Sequence, residues 1–177
     1  TSVEALYDTI HQIAERRDWE WIITFHPKIT DHSIINKYQK LAEKFDNVSF
    51  ERNEGLKTFQ RADVMLCDSS SIILEFMLLS KPVVTFKNTN PGPHLIDVKG
   101  CDAVEPALET ALTRPKSLME AIDTYTLNHE AHRDGNNCSR VLDAVDHFKS
   151  NFEGRIKAKP LNRWRKFRLR NKLKYWK

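Results

Sequence analysis

The sequence predicts an α/β fold: a Rossmann-like parallel sheet with helices on both faces, followed by a basic C-terminal tail. Two patterns predict the sheet. Short apolar runs, such as Trp19–Phe25 and Asp63–Cys67, alternate with longer segments of helical period. That alternation implies βαβ units, whose right-handed connections put helices on both sides of the sheet. Size agrees, because a chain of 177 residues, 40% of them hydrophobic, can bury a core of its own.

In chain order, Leu6, Ile10, Ile13 and Ala14 fall on one face of a first helix. Trp19–Phe25 is a buried strand, ended by His26-Pro27 because Pro has no ladder donor. Asp31 is the N-cap of the next helix, with Ile34, Ile35, Tyr38, Leu41, Ala42 and Phe45 as its buried stripe. Val48–Glu51 and Asp63–Cys67 are strands separated by a brief helix, Leu56–Arg61. Asp68-Ser69-Ser70-Ser71 opens an apolar helix, Ile72–Leu79. Lys81-Pro82 ends it before a strand at Val83–Phe86. A loop rich in Asn, Pro and Gly runs from Lys87 to Pro93, and a further strand is expected at Cys101–Val104. Helices are expected over Pro106–Leu112, Ser117–Leu127 and Ser139–Phe148. The expected domains are a nucleotide-donor-binding domain over 1–152 and a basic aromatic tail, helical or disordered, over 153–177.

The net charge of +4 conceals an asymmetry. Residues 155–177 hold eleven Lys/Arg and no Asp/Glu, which leaves 17 basic against 24 acidic residues in 1–154, a net of −7. No run approaches the roughly 18 apolar residues of a membrane-spanning helix, and no stretch reads as a signal peptide. Cys67, Cys101 and Cys138 are scattered and odd in number, which argues against a disulfide framework and for the cytosol. No Cys/His spacing suits zinc, so neither a metal nor a cofactor is expected.

Ligands of parallel sheets sit beyond the carboxyl ends of the strands. That rule selects two junctions. At the first, Ser69, Ser70 and Ser71 open a helix whose first-turn N–H groups favour an anion such as a phosphate. Serine also caps helices where no ligand binds. At the second, His26 can donate to a phosphate or transfer a proton, and Lys28 adds charge beside a diphosphate. Both also read as ordinary loop residues. Glu75, one turn into the apolar helix, either faces solvent or accepts hydrogen bonds from ribose hydroxyls. Asn90 and His94 lie in a polar loop able to close over a ligand. Arg140 lies beside a turn, Asp134–Asn137, that opens another helix and offers further anion donors.

The block from Ala62 to Val84, preceded by His26-Pro27-Lys28 and followed by Asp134-Gly135-Asn136-Asn137-Cys138-Ser139-Arg140, resembles the C-terminal, donor-binding half of a GT-B transferase. It is most similar to the CDP-glycerol glycerophosphotransferase family, which carries a strand ending in His-Pro, an Asp-to-Ser-Ser block, an apolar helix and a Lys-Pro strand. The resemblance covers residues 20–145. It implies that His26, Lys28, Ser69, Ser70 and Ser71 surround the phosphates of a CDP- or UDP-linked donor, with Glu75 in the nucleotide site. The family has Tyr where this chain has Ser69. The loop Asn88–His94 and the Asp134–Arg140 stretch are also similar to UDP-N-acetylglucosamine 2-epimerases. Those carry Ser-Gly-Gly where this chain has Ser69-Ser70-Ser71, a difference that favours the transferase.

A whole enzyme of that fold has two Rossmann-like halves and about twice this length. The chain therefore reads as a fragment, with the acceptor site and catalytic base in a missing N-terminal half. The expected activity is transfer of glycerol phosphate, or a related polyol phosphate or sugar, to a cell-surface polymer acceptor. Epimerisation of UDP-N-acetylglucosamine is the alternative.

In the tail, Arg163, Trp164, Lys166, Phe167 and Trp176 interleave cationic and aromatic side chains, which suits an anionic membrane surface. The expected location is the inner face of the cell membrane. Nucleic acid binding uses the same composition and is the weaker reading, alongside a merely solvated tail.

Overall fold

The helix α1 (Ser2–Arg16) buries Leu6, Ile10, Ile13 and Ala14, the stripe that its sequence period predicts. It belongs to a computed structural model that describes residues 2–26, 29–51, 55–152, 154–155 and 160–175. After α1 come β1 (Trp21–Ile23), α2 (His32–Lys44), β2 (Val48–Phe50), α3 (Gly55–Arg61), β3 (Met65–Cys67), α4 (Ile72–Met77) and β4 (Val83–Phe86). Then follow β5 (Ile96–Val98), α5 (Val104–Leu112), α6 (Lys116–His129), α7 (Asn137–Phe152) and α8 (Arg163–Leu173).

Local signals act where the sequence puts them. Asp31 caps α2 by accepting the N–H groups of Ser33 at 2.9 Å and Ile34 at 3.4 Å. The cap holds its carboxyl below the usual carboxylate range, chiefly through the Ser33 hydroxyl. At the other end of α1, the Asn47 amide donates to the carbonyls of Ala14, Arg17 and Trp19 at 3.0–3.1 Å. Lys81 does the same for α3: its ammonium reaches the carbonyls of Phe59, Gln60 and Ala62 at 2.6–2.9 Å. Lys81 thus caps α3, while α4 ends before the Lys-Pro pair, at Met77, with Ser80 left-handed at φ 55°.

All strand pairs are parallel. β1 pairs with β2, and β3, β4 and β5 form a second ladder in that order. The hydrogen-bonded ladder is therefore split, but the core is not. Ile23 of β1 and Val48 of β2 cluster with Val84 and Phe86 of β4, together with α1, α2 and α5. Val83, on the opposite pleat of β4, packs with Phe59 of α3, Ile73, Phe76 and Met77 of α4, and Leu118 and Ile122 of α6. Every residue of β4 is buried, as expected of a strand covered on both faces. The Rossmann-like architecture follows, with helices on both sides.

One expectation needs correcting. The strand expected at Cys101–Val104 is a 3-10 turn, Cys101–Ala103, that leads into α5. Val104, Ala107, Leu108 and Ala111 recur at helical spacing and all are buried there. The fifth strand is instead Ile96–Val98, hidden in sequence by its shortness and by the central Asp97.

The chain divides into two compact units, Thr1–Ala131 and His132–Lys177. α7 and α8 both lie in the second. No described helix is long and apolar enough to cross a membrane.

Candidate functional site

Where β3 and β4 end, an open cleft of ≈ 480 Å³ lies between three segments. Asp68 and Ser69 come from the β3–α4 turn, Phe86, Lys87 and Thr89 from the end of β4, and Ser2 and Ala5 from the first turn of α1. This is the crevice where parallel sheets bind ligands. Asp68 accepts the Ser2 hydroxyl at 2.5 Å, which ties α1 to the end of β3.

A hydrogen-bond network fixes the wall formed by the β4–β5 loop. Asp97 accepts the Thr85 hydroxyl at 2.9 Å and the Asn88 N–H at 2.8 Å, and pairs with Lys99 at 2.5 Å. Burial raises the Asp97 pKa, but Lys99, the Asn88 N–H and the Thr85 hydroxyl outweigh it and hold the group below its ordinary value. Asn88 in turn accepts the Asn90 N–H at 2.8 Å. Ser69 joins the two walls: its oxygen accepts the Thr89 N–H at 2.8 Å and lies 3.0 Å from the Thr89 hydroxyl.

The sequence-selected residues fall into several groups. Ser69 lines the cleft, with its hydroxyl engaged by Thr89. Ser70 and Ser71 are exposed and follow directly on that wall. The Ser71 side chain makes no cap hydrogen bond, and the Ser70 hydroxyl is 3.4 Å from the Ile72 N–H. The helix tip differs from expectation. α4 is short, and the N–H groups of Ile73 and Leu74 bond back to the carbonyls of Ser70 and Ser71. Those donors are satisfied locally, so the strand ends carry the site more than the helix dipole does. Glu75 is exposed on α4.

His26 is exposed just beyond β1, in the two-stranded ladder. Its neighbour Phe25 meets Tyr38 edge-on at 5.2 Å, and the Tyr38 hydroxyl donates to the Val3 carbonyl at 2.6 Å. The first turn of α1 therefore touches α2 near the end of β1 and also the end of β3. Pro27 and Lys28 lie outside the described residues, as does Trp176. Asn90 is exposed in the loop. His94 turns to α6, where its ring stacks 3.7 Å from that of Tyr125. Arg140 belongs to the second unit and forks onto Asp134 at 2.6 and 2.7 Å. That guanidinium holds the Asp134 carboxyl well below the usual range.

Sequence reasoning missed Lys87, the cation that lines the cleft. Its left-handed backbone, φ 53°, turns the chain at the strand end. The signal available was its position as the first residue after a buried strand. Asp97 was missed along with β5. At the end of β3, burial, with Asp68 beside it, pushes the Cys67 thiol up to about 12, which disfavours the thiolate that a nucleophile needs. Among the described residues no cluster of metal-ligating side chains occurs.

Parallel strands with helices on both faces define a Rossmann-like domain, and the family match below relates it to GT-B-like enzymes that process sugar nucleotides. More narrowly, the family model for UDP-N-acetylglucosamine 2-epimerase matches residues 1–146, and the chain belongs to that family. It is the second of the two families that the sequence resembles; the match gives no specific support to the CDP-glycerol glycerophosphotransferases. Comparisons with curated proteins and with solved structures return no match.

Proposed function

We propose that this chain is the nucleotide-binding half of an enzyme acting on a UDP-linked amino sugar, and that the diphosphate lies in the cleft beyond β3 and β4. The observation that carries this reading is the cleft itself. It sits at the carboxyl ends of adjacent parallel strands, inside the stretch matched by the epimerase family.

Lys87 supplies the positive charge at the mouth. Ser70 and Ser71, exposed at the two positions after the cleft-lining Ser69, offer hydroxyl donors, and Ser69 keeps the loop wall in place through Thr89. Asp68 faces the same space, so the charge of Lys87 must offset a carboxylate as well as attract a phosphate. Glu75 is the acceptor for ribose hydroxyls. Inverting carbon 2 of a UDP-linked sugar by proton exchange means that a base takes the proton while the electron pair expels UDP from carbon 1 and leaves a 1,2-double bond; a proton then returns to the opposite face of carbon 2 as UDP re-adds at carbon 1. An imidazole can take either part, and His26 at the end of β1 is assigned that role.

A second reading, transfer of glycerol phosphate or a sugar, is favoured by one feature. Ser70 and Ser71 stand where the epimerases carry two glycines. Product analysis of the full-length enzyme separates the two: a C2-epimerised hexosamine supports the first, and CMP release from CDP-glycerol supports the second.

Calorimetry tests the binding site directly. Lys87→Ala is expected to weaken UDP binding by ten- to a hundredfold, since a charged hydrogen bond is worth about 1.5–3 kcal/mol. Ser70→Ala with Ser71→Ala should also weaken it, by about tenfold. Unchanged affinity in both variants removes the assignment.

A further inference from the structure

The second unit carries a surface that the nucleotide reading does not use. α8 (Arg163–Leu173) contains Arg163, Arg165, Lys166, Arg168, Arg170 and Lys172 and no acidic residue. Like charges recur one turn apart, as in Lys166 and Arg170 or Arg168 and Lys172, and the first turn places Arg163 and Arg165 at the positive end of the helix dipole. A helix of 11 residues is marginal alone even without such repulsion. Yet it is formed and closed at its C-terminus. Lys174 adopts φ 51°, its N–H bonds to the Asn171 carbonyl at 3.3 Å, and the Tyr175 N–H reaches the Arg170 carbonyl at 2.9 Å.

The side chains fall in sectors. At about 100° per residue, Trp164 and Phe167 share one face. Arg163 and Arg170 flank it on one side, Arg168 and Lys172 on the other. Trp164 is 72% exposed and Phe167 47%. The two rings stack on each other, centroids 5.7 Å apart and 14° from parallel. We propose that this face of α8 binds an anionic lipid surface: the Trp164–Phe167 pair enters the headgroup region, and the flanking guanidinium and ammonium groups meet lipid phosphates.

Charge complementarity carries the choice of an anionic surface: α8 holds six cations and no carboxylate along its 11 residues. An exposed aromatic pair with cations on both flanks suits the membrane interface, where Trp is enriched and long basic side chains reach outward to the headgroups. Each basic residue near such a surface strengthens binding by about fivefold.

The test is sedimentation of the 177-residue chain with vesicles of phosphatidylcholine alone, or of phosphatidylcholine with phosphatidylglycerol. Binding to the anionic vesicles only, weakening as salt rises, is expected. Trp164→Ala with Phe167→Ala should reduce it by about tenfold or more, and Arg163→Gln with Arg168→Gln by roughly thirtyfold. All four side chains are exposed, so UDP affinity and thermal unfolding should not change. Absence of binding, equal binding to neutral vesicles, an aromatic double variant that binds like the parent, or tighter binding to single-stranded RNA at matched salt would each overturn the proposal.

Discussion

α1 and α7 are both amphipathic helices of similar length, 15 and 16 residues, and they end up in opposite circumstances. The stripe of α1 is buried under the sheet, with Ile13 only 1% exposed. On α7 the stripe of Val141, Val145, Phe148 and Phe152 stays exposed, and no described residue of that helix is buried. α8, which is charged nearly all round, is likewise without a buried residue. Among the described residues, every core side chain lies in the first unit, as does the candidate nucleotide site, and the apolar groups of α7 and α8 in the second are exposed. Helical period shows which face is apolar. It does not show whether anything packs against that face.

Core truncation should break the comparison most visibly if it is wrong. Phe76 is fully buried between layers, edge-on to Phe59. Phe76→Ala should cost about 3–5 kcal/mol in urea denaturation. Val145→Ala, at 48% exposure, should stay within about 0.5 kcal/mol. Equal losses would mean that α7 has a core equivalent to that of α1.

Thiol chemistry sharpens the same contrast. Burial disfavours the Cys67 thiolate, whereas Cys138 is exposed at the start of α7. Maleimide should modify Cys138 on the order of a hundredfold faster than Cys67, read by mass spectrometry of the intact and digested chain. Comparable rates would place Cys67 in a more open setting than its packing implies.

A smaller effect concerns His94. Burial, then the neighbouring His129, lowers its pKa below the ordinary 6.5. A base with a depressed folded pKa favours folding when neutral. Its contribution is therefore fully present above pH of about 6.5 and is lost as the pH falls toward the lower, folded value. Thermal unfolding followed down through that window should show the loss, and His94→Asn should flatten it.

Much of this was legible in the sequence because it rests on local chemistry. Asp31 as a cap, the α1 and α2 stripes and the all-apolar β4 depend on period and on side-chain type. The strand-end rule selects the Asp68–Ser71 turn, which follows β3 in the structure. What escaped depended on distant partners. Ser69 looks like a ligand donor until Thr89, across the cleft, occupies it. Lys81 looks like a helix breaker until α3 offers it three carbonyls. His94 looks like a loop residue over the ligand until Tyr125 takes its ring. β5 escaped because three residues around a charge carry too little pattern, and its Asp97 acquires meaning only beside Thr85 and Asn88.

The central claim is that nucleotide binds in the first unit, at the ends of β3 and β4. Amide resonances of the labelled chain, followed while UDP is added, test it most directly. Shifts concentrated at Asp68–Ser71 and Phe86–Asn90, with Asn137–Phe152 and Arg163–Leu173 still, are the predicted result. Shifts confined to the second unit, or none at saturating UDP, would contradict it.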